Sequence, residues 1–90
     1  MNFEEKIKLT VEKNLECVYF ELINESYKHH GHVGDDGSGQ THFKLVVVSP
    51  QFEGMGRVMR HRLVNNMLDP LYKQGLHSVS LDLLSPSQHK

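Results

Sequence analysis

An unbroken apolar run in the middle of the chain, Leu45 to Val48, constrains the fold most strongly. It lies within Phe43–Ser49, a segment rich in β-branched residues, and so predicts a strand covered on at least one face. Cys17–Asn24 has a similar β-forming composition, and His77–Leu84 alternates apolar with polar residues, so both predict further strands. The fold must therefore be built around a small sheet of three strands.

Two segments have helical periodicity. Asn2–Asn14 places apolar residues at four-residue steps, with Asn2 able to cap its first turn. Arg57 to about Leu68 repeats in the same way, and Asp69-Pro70 predicts a kink there or the start of a second short helix, ended by Gly75. The order is helix, strand, strand, helix or helix pair, strand.

This order predicts an α+β fold with the helices packed on one face of the sheet and the first two strands antiparallel. Ninety residues suit one domain, residues 1–90. The turn Ser49–Gly54 is expected to hold at most one short helical turn. The tail Ser85–Lys90 is expected to be frayed.

The connection between the first two strands, Glu25–Thr41, is long and glycine-rich and contains three histidines: His29, His30 and His32. Long connections inside compact domains are uncommon and often functional. On composition alone the histidines predict either a solvated surface cluster or a zinc or copper site, since imidazole is a common ligand for both metals.

Charge, cysteine content and hydropathy exclude several classes. A formal net charge of −1 argues against a nucleic-acid binder that acts through bulk charge. The single cysteine, Cys17, allows no disulfide within the chain and is expected to be a small core residue. No run approaches the roughly 18 apolar residues of a membrane span, and the first fifteen residues lack signal-peptide features. We therefore expect a cytoplasmic protein.

Four short segments, in this order and spacing, resemble the BolA family of small stress-response and iron–sulfur-linked proteins, and the resemblance spans roughly Leu15 to Ser85. They are Asn-Glu-Ser-Tyr-Lys-His at 24–29, Thr-His-Phe-Lys at 41–44, Phe-Glu-Gly at 52–54 and Arg-His-Arg at 60–62. The resemblance implies a fold similar to the K-homology (KH) nucleic-acid-binding fold.

The resemblance also implies a function. BolA-like proteins pair with a monothiol glutaredoxin, and the two hold a bridging two-iron, two-sulfur (2Fe-2S) cluster. The glutaredoxin cysteine and glutathione supply thiolates, and the BolA side supplies imidazole. By this resemblance, His61 and the loop residue His29 are the predicted ligands. His42 is interpreted as a hydrogen-bonding residue near the site or a third ligand. The predicted contact surface comprises Arg60, Arg62 and Phe52.

Other interpretations remain. Some BolA-like proteins are transcription regulators, so Arg57, Arg60 and Arg62 form a candidate DNA-binding cluster on the basic helix. His77 is interpreted as an ordinary strand residue. No nucleophile elbow, P-loop, dinucleotide fingerprint or HExxH motif occurs, so no enzyme is expected.

Overall fold

The computed structural model describes residues 2–26 and 42–89. Its elements are helix α1 (Phe3–Asn14), strand β1 (Tyr19–Asn24), strand β2 (His42–Val48), a 3-10 turn (Pro50–Phe52), helix α2 (Arg57–Lys73) and strand β3 (Ser78–Leu84). Each predicted strand is confirmed, with ends shifted by one or two residues. The predicted cap is also confirmed, because the Glu5 N–H donates to the Asn2 side-chain oxygen at 2.9 Å.

The three strands form one mixed sheet with β2 in the centre. β1 and β2 are antiparallel, as predicted, with Leu22 opposite Leu45. β2 and β3 are parallel, with Leu45 opposite Leu81. A parallel pair needs a crossover connection, and α2, which lies between β2 and β3 in the sequence, provides it.

The core lies between the sheet and the two helices. On β2 the buried Phe43, Leu45 and Val47 alternate with the less buried His42, Lys44 and Val46, as a strand covered on one face requires, and only Val48 at its end departs from this pattern. Ile7 of α1 and Leu68 of α2 are among the helical residues buried against them. Burying each such side chain contributes about 1.5–3 kcal/mol. The prediction of helices on one sheet face is confirmed.

Helix α2 runs without a break from Arg57 to Lys73, so the predicted second short helix is wrong. Pro70 lies inside α2 and cannot donate the helical hydrogen bond to the Asn66 carbonyl. Both residues are exposed, so water can satisfy that carbonyl, while Leu68 and Leu71 on either side remain buried in the core. Gly75, with φ of +115°, follows the helix end as predicted.

The tail is ordered as far as His89, so the prediction that it is frayed is wrong for residues 85–89. Ser85 is 2 % exposed, and the Gln88 N–H donates to its carbonyl at 3.0 Å, which closes a turn. The tail is held in place because the Gln88 side-chain oxygen also accepts from Arg60 near the start of α2. Within residues 2–26 and 42–89, no helix is both long and apolar enough to cross a membrane.

Candidate functional site

The two ends of the β2–β3 pair carry different chemistry. At one end Val48 lies opposite Leu84, close to the start of α2; we call it the closed end, comprising Phe52, Met55, Arg60, Leu83, Ser85 and Gln88. At the other end His42 lies opposite Ser78. We call it the open end, comprising Ser26, His42 and His77.

Arg60 joins three elements at the closed end. Its Nε donates to the Met55 carbonyl at 2.9 Å, and its Nη1 donates to the Leu83 carbonyl at 3.0 Å and to Gln88 Oε1 at 2.6 Å. The guanidinium also lies over the Phe52 ring, 5.8 Å from its centroid. Arg60 is only 9 % exposed. It therefore fixes the start of α2 to the end of β3.

These positions change the interpretation of the predicted contact surface. Phe52 is fully buried, and Arg60 is committed to internal hydrogen bonds, so neither side chain is available at the surface. Burial follows from the 3-10 turn, which directs Phe52 into the core. Arg57 and Arg62 are exposed. The predicted basic cluster is thus reduced to these two exposed arginines.

His61 lies on the first turns of α2, partly exposed. Its Nδ1 is 2.9 Å from the Arg57 carbonyl oxygen. A carbonyl can only accept, so this bond requires the proton on Nδ1 and leaves the Nε2 lone pair as the ligand atom. His61 lines a cleft of about 560 Å³, together with Arg57, Asp82 and Gln88. The geometry suits a single nitrogen ligand at the closed end.

The open end brings two imidazoles together. The rings of His42 and His77 are stacked, with centroids 6.3 Å apart and planes 19° from parallel. His42 is the first residue of β2, and His77 is exposed and directly precedes β3. The sequence analysis missed this pair, because no local signal reveals that β2 and β3 start side by side in a parallel arrangement.

Ser26 holds the main chain of His42. The Ser26 hydroxyl accepts from the His42 N–H at 3.0 Å and lies 3.3 Å from the His42 carbonyl, which also accepts from the Glu25 N–H at 2.8 Å. Ser26 is 4 % exposed. The chain leaves the described structure after Ser26 and returns at His42, so both anchors of residues 27–41 lie at the open end. The predicted ligand His29, with His30 and His32, lies outside the described residues.

His42 and His61 are not brought together. His42 pairs with Ser78, whereas the His61 cleft is lined by Leu81–Leu84 of the same strand. Ser78 and Leu83 are separated by about 16 Å at about 3.3 Å per residue. Because Phe43 faces the helices, strand alternation also places the His42 side chain on the opposite sheet face. These two histidines therefore cannot share one metal ion in this arrangement.

The described residues do not form a complete metal site. Across residues 2–26 and 42–89 there is no group of three or more His, Cys, Asp or Glu side chains placed to hold a metal ion. Ligation by His42, His77 or His61 would therefore need ligands from elsewhere, either from residues 27–41 or from a partner.

Cys17 is half-buried and packs against the core, close to its predicted role as a small core residue. Burial, with a smaller contribution from the nearby Glu12 carboxylate, raises the pKa of the Cys17 thiol. A raised pKa disfavours the thiolate that a metal ligand or nucleophile requires. Cys17 therefore adds no ligand to either end.

Comparisons with known proteins agree on the family. Residues 11–88 match the BolA family, described as BolA-like protein. The chain is 40 % identical over 84 residues to a Sinorhizobium sp. protein described as uncharacterized in the cobS 5' region, covering 88 % of this chain and 90 % of that one. The solved structure of BolA1 from Arabidopsis thaliana is 37 % identical with a TM-score of 0.88, over 100 % of this chain and 98 % of that one.

A further relative is the DNA-binding transcriptional regulator BolA of Haemophilus influenzae. It is 28 % identical over 90 residues, which cover 100 % of this chain and 84 % of that protein.

Proposed function

Because the chain belongs to the BolA family, we propose that it is a non-enzymatic partner of a monothiol glutaredoxin. The two proteins, with glutathione, hold a bridging 2Fe-2S cluster that serves iron–sulfur delivery or iron and stress regulation. The single half-buried thiol suits a reducing compartment, and we propose the cytoplasm.

The observation that carries this proposal is the stacked pair of His42 and His77 at the open end. The histidine-rich residues 27–41 leave and return at the same end, next to Ser26 and His42. The open end therefore gathers more imidazoles than any other part of the described chain. It supports His77, with one histidine of residues 27–41, as the ligand pair, and His29 remains the first candidate in that segment.

The donor types fit such a cluster. A 2Fe-2S cluster takes four ligands, and imidazoles can replace two of the thiolates on one iron. The glutaredoxin cysteine and glutathione would supply the two thiolates, and this chain the two nitrogens. When bound, the cluster supplies an electron-transfer group with a potential raised by its neutral ligands. The role of this chain is to orient its imidazoles; the bonds from Ser26 and Glu25 to the His42 main chain hold that end in place.

His61 is the competing ligand, as originally predicted from the Arg-His-Arg segment. Its Nδ1 is held by the Arg57 carbonyl, which leaves Nε2 for a metal. It lies at the closed end, away from both anchors of residues 27–41.

The test is visible absorption and circular dichroism of the protein mixed with a cluster-loaded monothiol glutaredoxin and glutathione. We expect a new cluster spectrum for the wild type that His77→Ala abolishes and His61→Ala retains. His29→Ala, His30→Ala and His32→Ala would identify the loop ligand. His89→Ala is the matched control, since the ring of that histidine lies beside Tyr19, with centroids 5.0 Å apart, away from the open end.

Each outcome decides between the interpretations. Loss of the spectrum in His61→Ala alone would move the site to the closed end. A glutaredoxin spectrum unchanged by the wild-type protein would contradict the cluster proposal. Uptake of zinc or copper by the isolated chain, abolished by the loop substitutions, would instead support the simple metal site.

A DNA-binding regulator is the second candidate, favoured by the exposed Arg57 and Arg62 at the start of α2 and by the name of the Haemophilus influenzae relative. It predicts duplex binding that weakens as salt rises, with the salt slope reduced by about one in Arg57→Ala and in Arg62→Ala. His77→Ala should leave that binding unchanged. Absence of any salt-dependent duplex binding would contradict it.

A further inference from the structure

The two edges of the sheet are treated differently by the rest of the fold. At the β3 edge, a side chain of α2 bonds to a main-chain group: Arg60 Nη1 donates to the Leu83 carbonyl. Covering an edge in this way prevents another strand from adding to it. The β3 edge is therefore covered at Leu83.

Within residues 2–26 and 42–89, no side chain covers the central residues of the β1 edge in a comparable way. The Glu25 N–H donates to the His42 carbonyl on β2, and main-chain direction alternates along an antiparallel strand. Glu21 and Ile23 therefore point their main-chain groups toward β2, and Phe20 and Leu22 point theirs outward. No hydrogen bond joins the outward main-chain groups of Phe20 and Leu22 to any part of the described chain.

The composition of β1 does not protect this edge from pairing with another strand. The strand contains neither proline nor lysine, and its single charge, Glu21, lies on the sheet face rather than across the edge. Tyr19 and Ile23 are exposed apolar residues on that same face, at 39 % and 38 %. Main-chain groups that have no partner among the described residues, flanked by exposed apolar side chains, suit another strand as an occupant.

We propose that β1 pairs antiparallel with β1 of a second copy of this chain, around a two-fold axis through Leu22. The two Leu22 main chains would exchange hydrogen bonds, and two three-stranded sheets would become one continuous sheet. The β1 strand of a second copy has the same length as this edge and can run antiparallel to it around a two-fold axis.

The charges of β1 select this register. With the axis at Leu22, Glu21 of each copy lies opposite Ile23 of the other. Moving the axis to Glu21 would place that carboxylate opposite itself, and moving it to Ile23 would place it opposite Glu25. Like charges directly opposite are destabilising. The cleft beside the edge is lined by Glu4, Glu5, Lys8, Phe20 and Leu22, so Lys8 of one copy could pair with a carboxylate of the other.

Substitutions at Ile23 distinguish the stability of the dimer from the stability of the fold. The residue opposite Ile23 within the chain and the residue opposite it in the second copy carry opposite charges. Within the chain Ile23 lies opposite Lys44, and in the dimer it would lie opposite Glu21. Ile23→Glu should therefore favour the fold and weaken the dimer, and Ile23→Lys should do the reverse. Sedimentation of the full chain, from micromolar to millimolar concentration, should give a dimer dissociation constant roughly tenfold higher for Ile23→Glu than for Ile23→Lys, since each contact occurs twice.

Hydrogen exchange gives an independent readout in the wild type. The amides of Glu21 and Ile23, already bonded to β2, should be protected at every concentration, whereas those of Phe20 and Leu22 should gain protection as concentration rises. A chain that stays monomeric at millimolar concentration would overturn the proposal. So would a dimer equally strong in both Ile23 variants. Protection of Phe20 and Leu22 only on adding another protein would overturn the second copy as occupant in favour of an extended segment of that protein.

Discussion

The closed and open ends of the sheet use their polar side chains in contrasting ways. At the closed end the guanidinium of Arg60 is buried and makes every described contact inward, to Met55, Leu83 and Gln88. At the open end the Ser26 hydroxyl accepts from the His42 N–H, and His77 is exposed. A charged residue can therefore be structural, while an imidazole remains exposed. Burial, rather than residue type, distinguishes the two.

The contrast predicts large stability effects at the closed end and small ones at the open end. The strongest test is Arg60→Ala. It removes three hydrogen bonds and leaves the part-buried Met55 carbonyl and the buried Leu83 carbonyl without their partner. We therefore expect a loss of about 3 kcal/mol and a Tm lower by roughly 15 °C. Urea and thermal unfolding would measure both.

Arg62→Ala is the matched control, because it removes an exposed arginine from the same helix and should stay within about 0.5 kcal/mol of the wild type. Equal effects of the two substitutions would contradict the structural role of Arg60.

Gln88→Ala should have the next largest effect. The Gln88 side-chain oxygen accepts from Arg60 Nη1 and from the N–H and hydroxyl of Ser85. Because Ser85 is buried, losing this acceptor should cost about 1.5 kcal/mol in chemical unfolding. Gln74→Ala is the control, since Gln74 makes an exposed bond to Lys6 and should change stability by less than about 0.5 kcal/mol.

Ser26→Ala tests the open end. It removes the hydroxyl that accepts from the His42 N–H, so we expect a loss of about 1 kcal/mol together with a weaker cluster spectrum in the glutaredoxin mixture. Ser80→Ala, on the exposed sheet face, should change neither quantity. If Ser26→Ala lowered the free energy of unfolding as much as Arg60→Ala, the predicted difference in stability between the closed end and the open end would be contradicted.

The smallest expected effect concerns Cys17, just before β1. Its pKa is raised in the folded chain by burial and then by Glu12, so the unfolded thiol ionises first as pH rises. Stability should be constant below the ordinary cysteine pKa and should fall slightly as pH rises from there through the folded value. Alkylation rates should give a higher apparent pKa for the native than for the urea-unfolded protein. Cys17→Ser should remove the alkaline decline in stability.

Local patterns in the sequence determined most of the elements. Alternation placed β3, apolar spacing placed α1 and α2, and Asn2 and Gly75 marked helix ends, because each signal depends on neighbours a few residues apart. The same short range explains the error at Pro70, where burial of Leu68 and Leu71 keeps α2 continuous despite the missing hydrogen bond.

The position of each candidate site residue depended on tertiary structure. The sequence identified the family and the abundance of histidine, yet His77 gained its interest only when the parallel pairing of β2 and β3 set it beside His42. Arg60 and Phe52 no longer belong to the candidate contact surface, because packing between distant segments buries both side chains. Sequence patterns specify which residues form an element, while contacts between distant segments decide which side chains meet and which reach solvent.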